Sequence, residues 1–124
     1  MLKDQKGFTL LEIIAVLVIL GILAAVAVPR YISLLDEAKI ASAQGAIAEV
    51  KGRASGYYGL LTLRNSAAPS AASVLASVTA TPDVGADFTV TAAASGSNIV
   101  ITVSAVKGTA LSPSVVGTWI FPTP

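Results

Sequence analysis

The chain has 124 residues, 54% of them hydrophobic and only 12% charged, with neither Cys nor His. That is one domain's length, and the apolar share excludes disorder driven by charge and polarity. Eight basic and seven acidic residues give a net charge of +1, which leaves no electrostatic footprint for nucleic acid, and the missing residue types exclude a disulfide, a Cys/His zinc site and a Ser-His-Asp triad.

The chain opens on MLKDQKG, with Lys3 and Lys6, and then turns apolar. Ile13 to Val28 contains no charge and no hydroxyl, and the run from Phe8 to Val28 is broken only by Thr9 and Glu12. As a helix this run spans roughly 31 Å, about one bilayer hydrocarbon core. A buried soluble helix of that length needs a far larger domain around it. Two Lys before the run against Arg30 after it bias the N-terminus towards the cytoplasmic side. Three fates are open to such a segment: a secretory signal peptide, a plain anchor, or a specialised membrane helix. Ala25-Val26-Ala27 fits the small-x-small pattern of a secretory cleavage site. Against that reading stand Glu12 and the helix-like sequence that continues past Pro29.

Glu12 is the informative residue. A carboxylate in a membrane segment costs about 2.5–3.5 kcal/mol at the centre and less near an end, so it marks a functional position by default. The bland alternative is a glutamate snorkelling at the membrane edge. Pro29 removes a backbone donor and predicts a kink in any helix that runs through it. Gly21, Ala24 and Ala25 form a small-residue strip that lets helices approach closely.

The stretch Lys6-Gly7-Phe8-Thr9-Leu10-Leu11-Glu12, followed by the apolar run and Pro29, resembles the N-terminus of the type IV pilins and pseudopilins. The resemblance covers Lys6 to about Tyr31. It implies that a membrane peptidase cuts between Gly7 and Phe8, that the new amino group of Phe8 is methylated, and that Glu12 serves assembly. Gly7 lacks a side chain, which suits extended backbone in a peptidase cleft. Within one chain Phe8 and Glu12 are expected four residues apart on one helical face. Between chains, a neighbour displaced by about one turn brings its amine opposite Glu12, and a slipped register leaves a charge unpaired.

Beyond Pro29, Ile40, Ala43, Ile47, Val50, Ala54 and Tyr57 alternate spacings of three and four, one stripe of a helix. Asp36 with Lys39, and Glu49 with Arg53, sit at pairing distance on it. Gly56 and Gly59 supply the expected stop. A helix from Phe8 to Tyr58 has about 51 residues and runs roughly 77 Å if unbroken, too long for this domain unless half projects.

The remaining residues are predicted as a loop over 65–69 and a short helix over 70–77. Strands follow over 88–92, 99–105 and 115–121, joined by turns at Ser95-Gly96-Ser97-Asn98 and Lys107-Gly108. About 66 residues make an insecure core alone, so the sheet is expected to pack on the long helix through Ile99, Ile101, Val103, Trp119 and Phe121. Tyr57, Tyr58 and Tyr31 are assigned to packing. Asp83 and Asp87 flank a turn and form a sparse oxygen set for a hard cation. Major pseudopilins tend to carry a calcium loop near the C-terminus, whereas Gly108 to Pro124 here contains no acid.

The expectation is therefore an α+β, pilin-like fold: leader 1–7, long helix 8–58 with 8–28 in the membrane, and a β-rich head 59–124. No cofactor and no enzymatic activity are expected. The resemblance implies a homopolymer, inserted through the inner membrane and served by a prepilin peptidase, an assembly ATPase and a platform protein. A surface pilus is preferred over a type II secretion pseudopilus. A membrane-tethered monomeric binding module is the rival of a different class.

Overall fold

The structure, a computed structural model, describes residues 7–80 and 84–122. The element order is α1 (Leu10–Asn65), α2 (Ala71–Ala80), β1 (Phe88–Ser95), β2 (Asn98–Val106) and β3 (Thr109–Trp119). The chain divides into two units, Met1–Glu37 and Ala38–Pro124. Lys3 and Lys6 lie outside the described residues.

The first unit is the N-terminal part of α1. The helix is continuous through Pro29, whose ring nitrogen cannot donate to the Ala25 carbonyl. Every side chain from Leu10 to Val28 is exposed, and α1 is long and apolar enough to cross a membrane.

The second unit is an α+β head. Its sheet is an antiparallel meander in the order β1-β2-β3. Gly96 has φ 62° in the two-residue turn between β1 and β2, and Lys107 and Gly108 have φ 50° and 74° in the next. Two consecutive positive φ values match the right-handed twist of the flanking strands, which is why Gly108 stands there. The core joins Ala43, Ala46, Ile47, Val50 and Ala54 of α1, Val74 and Val78 of α2, and Ile99, Ile101, Val103, Val106 and Trp119 of the sheet.

Alternation puts Ile99, Ile101 and Val103 inside, and a bulge at Ser104 then changes the parity. Thr89 faces Ala105 but Val90 faces Val103, so Ser104 is the extra residue, and the next buried position is Val106 rather than Ala105. On the other edge of β2, Val103 pairs with Val115 and Ala105 with Ala110. Residues 111–114 loop out opposite Ser104, and this is how β3 accommodates Pro113. A proline is tolerated on an edge strand at a bulge because no ladder donor is required there. The third strand consequently begins at Thr109, not at Val115 as expected.

Three further expectations are corrected. α1 does not stop at Gly56 and Gly59 but runs to Asn65, where Ser66 takes φ 51°. Two helical glycines cost about 1 kcal/mol each, and Leu60, Leu61, Leu63 and Arg64 are good helix formers, with Leu61 packed on the core. Ile40 stays 41% exposed, so the packed stripe starts at Ala43 and takes in Ala46 instead. Phe121 is half-buried rather than interior, and its ring meets Tyr58 edge-on at 5.4 Å and Trp119 at 5.9 Å. Trp119 is buried and donates its indole N–H to Ser55 Oγ at 3.0 Å, tying the end of β3 to α1. The expected Glu49–Arg53 pair is present at 3.1 Å.

Gly117 marks a close approach of α1 to the sheet. A Cβ built there collides with Cγ2 of Ile47 and comes within 3.2 Å of Lys51 Cε. Gly117→Ala is therefore expected to cost about 1–3 kcal/mol through overpacking. Thermal unfolding of the full chain in detergent, followed by near-ultraviolet dichroism of Trp119, checks this. An unchanged midpoint would contradict the close packing.

Candidate functional site: the start of the long helix

The first turn of α1 is closed by two reciprocal hydrogen bonds. The Thr9 backbone N–H donates to Glu12 Oε2 at 3.0 Å, and the Glu12 N–H donates to Thr9 Oγ1 at 3.2 Å. Thr9-x-x-Glu12 is thus a capping box, with Thr9 as the N-cap and Glu12 three residues in. The Ile13 amide also bonds the Thr9 carbonyl at 3.2 Å. Two amides that would face hydrocarbon unsatisfied are paired instead, and the carboxylate sits at the positive end of the helix dipole. Together these lower the cost of a charge in an apolar segment.

Phe8 precedes the helix and is 83% exposed. The expectation that Phe8 and Glu12 share a helical face is not met, because Thr9 takes the N-cap conformation and ends the helix in front of itself. Gly7 is exposed, with nothing within 4 Å of where a Cβ would stand. One carboxylate oxygen of Glu12 holds the cap, and the other has no partner among the described residues. The residue as a whole is exposed.

Further along the helix, Gly21, Ala24 and Ala25 are exposed at helical spacings of three and four. Nothing lies within 4 Å of a Cβ built on Gly21. The head offers little beside this. Asp83 lies outside the described residues and Asp87 is exposed, with its backbone carbonyl accepting from the Lys107 N–H. Among the described residues no cluster of three Asp, Glu, His or Cys side chains occurs. Thr9 is the functional residue that residue-by-residue reading passes over. Its signal is legible: Thr, two residues, Glu, then an apolar run.

Residues 2–28 match the prokaryotic N-terminal methylation motif. The chain is 56% identical over 45 residues to the type II secretion system core protein G of Pseudomonas aeruginosa, covering 36% of this chain and 32% of that protein. It is 39% identical over 71 residues to the type IV narrow pilus major component PilA5 of Thermus thermophilus, covering 57% and 58% of the two chains. With the fimbrial protein EcpC of Eikenella corrodens it shares 42% over 78 residues, 60% of this chain and 51% of that one. The matched stretches thus span between about a third and three-fifths of these relatives. No solved structure matches. A capped, exposed apolar helix whose first turns lie within the methylation motif, followed by a small α+β unit, is a pilin-like fold. The relatives matched through this N-terminal segment are type IV pilins and a type II secretion core protein.

The capping box separates two roles of Glu12. Gln at that position still accepts from the Thr9 amide but carries no charge. Glu12→Val is expected to be processed and held in the membrane yet to assemble poorly, and Glu12→Gln to behave likewise if charge is what assembly requires. Quantifying sheared filaments against the membrane pool checks both. Normal filaments from Glu12→Gln would reduce the residue to a helix cap.

Proposed function

We propose that this chain is the structural subunit of a type IV pilus-like filament. The precursor is held in the bacterial inner membrane by α1 up to Val28, with its N-terminus cytoplasmic. A prepilin peptidase cuts between Gly7 and Phe8, and the freed amine of Phe8 is methylated. The mature subunit polymerises through α1, driven by an assembly ATPase and a platform protein. The observation that carries this reading is an apolar helical surface with no cover among the described residues, opened by a carboxylate with one oxygen unpaired among them. In lipid that surface is satisfied by acyl chains, and in a fibre it is satisfied by copies of itself. The cap survives cleavage, because Thr9 becomes the second residue and keeps its N–H. The methylated amine of Phe8 stays cationic and supplies the countercharge for Glu12 of a neighbour. Pro29 relaxes the helix where it leaves the apolar segment, and Gly21, Ala24 and Ala25 admit close neighbours.

A second reading, a pseudopilin of a type II secretion system, is favoured by the 56% identity to core protein G. It differs in where the fibre ends, periplasm rather than cell surface, and not in the chemistry of the subunit.

Intact mass of the mature protein tests the proposal. Loss of the first seven residues with gain of one methyl group is the expected result. Loss of the first twenty-seven selects a secreted protein, and an unchanged chain selects a membrane-tethered module. Gly7→Leu is expected to block cleavage and leave only the longer precursor, visible as a shift on an immunoblot. Normal processing of that variant would place the cut elsewhere.

A further inference from the structure

Arg30 and Glu37 lie seven residues apart on α1, just past the apolar segment, and both are exposed. Neither has an opposite charge at helical pairing distance. Three and four residues away stand only Val26, Ala27, Ser33, Leu34, Ile40 and Ala41. Among the described residues no ion pair engages either side chain. The two line one shallow groove with Pro29, Ser33 and Leu34. Seven residues are two helical turns, about 10.5 Å along the axis, so the charges share a stripe without meeting.

We propose that Arg30 and Glu37 pair between copies of this chain, fixing parallel α1 helices at a stagger of two turns; the inference rests on the filament reading above. A second copy displaced by that distance brings its Glu37 beside Arg30 of the first. Its own Arg30 and the first copy's Glu37 are left for the next copies on either side. A contact that repeats by translation never closes, so it builds a fibre rather than a dimer.

Two independent features agree with the same displacement. At a seven-residue offset Gly21 comes level with Val28, Ala24 with Tyr31 and Ala25 with Ile32, so small positions meet bulky exposed ones. At the start of α1, Phe8 and Thr9 lie outside the helix, which lengthens the reach of the amine. Two residues off the helix and two helical steps separate Phe8 from Glu12 by up to about 10 Å, against roughly 6 Å if all four steps were helical. One stagger therefore serves both charge pairs, at opposite ends of the apolar segment.

The chain has no Cys, so introduced thiols report without background. The full chain carrying Arg30→Cys and Glu37→Cys is produced with the peptidase and assembly machinery, and sheared filaments are oxidised. The expected result is a ladder of cross-linked oligomers from the double variant and none from either single variant. Within one chain the two Cα atoms are about 10.5 Å apart, beyond the roughly 7 Å limit for a disulfide. Filaments without a ladder overturn the pairing and leave the filament reading intact, whereas no filaments from the unsubstituted chain sinks the filament reading itself.

Charge reversal provides a second arm and decides alone if the double Cys variant does not assemble. Arg30→Glu is expected to lower filament yield roughly fivefold or more with membrane content unchanged, and addition of Glu37→Arg to restore it to within about twofold. Loss of Arg30→Glu from the membrane fraction assigns Arg30 to lipid headgroups, and failure of the second reversal to rescue denies the partnership. Either result overturns the pair.

Discussion

The surface of α1 between Leu10 and Val28 has no cover among the described residues, and that constraint governs what this segment can do. Burial of large aliphatic side chains is worth about 1.5–3 kcal/mol each. A helix with more than a dozen of them exposed cannot persist in water as a monomer. Two environments satisfy it. Acyl chains do so without specificity, and other helices do so with it. Lipid offers no hydrophobic gain over protein, so the choice falls to close packing and to charges that lipid cannot satisfy. In the proposed filament Glu12 is such a charge, and Gly21, Ala24 and Ala25 are the positions that admit close packing.

The capping box changes how that charge is understood. A carboxylate with no partner would make the membrane-held state strained and assembly a relief of that strain. With the Thr9 amide bound to one oxygen and the helix dipole behind it, the stored precursor is tolerable. In the proposed filament the second oxygen is left for assembly, and its pairing would depend on the neighbour's position. There the cap would make the subunit storable, and the second oxygen would make it selective about register.

Much of this is legible in the sequence because the relevant signals are local. The apolar run, Glu12, Pro29 and the stripe from Ala43 to Ala54 follow from spacing alone, and the turns at Gly96 and Gly108 announce the meander. What sequence reading misses is set by pairing across strands. The parity change at Ser104, which buries Val106, and the bulge that carries Pro113 inside β3 depend on register with a partner, and no period in one strand reports that. Helix length fails for a related reason. Gly56 and Gly59 read as a stop by propensity, yet Tyr58 and Leu61 pack on the core and hold the helix on to Asn65. Thr9 is a different kind of miss. Its capping signature, Thr, two residues and Glu ahead of an apolar run, is plain in the sequence.

The division at residues 37 and 38 separates two kinds of sensitivity along one helix. Ala43, Ala46, Ile47, Val50 and Ala54 face a sheet within the same chain, so changes there act on folding of the head. From Leu10 to Glu37 no side chain is buried, so changes there leave the monomer's fold intact and act on whatever covers the helix. Arg53 and Glu49 belong to the first class, because their pairing is satisfied within the chain at i,i+4. Arg30 and Glu37 belong to the second, because a seven-residue spacing places two opposite charges on one stripe yet keeps them apart. In the proposed pairing, this opposite-charge spacing that the parent helix cannot use sets the displacement of a second helix, two turns along the axis.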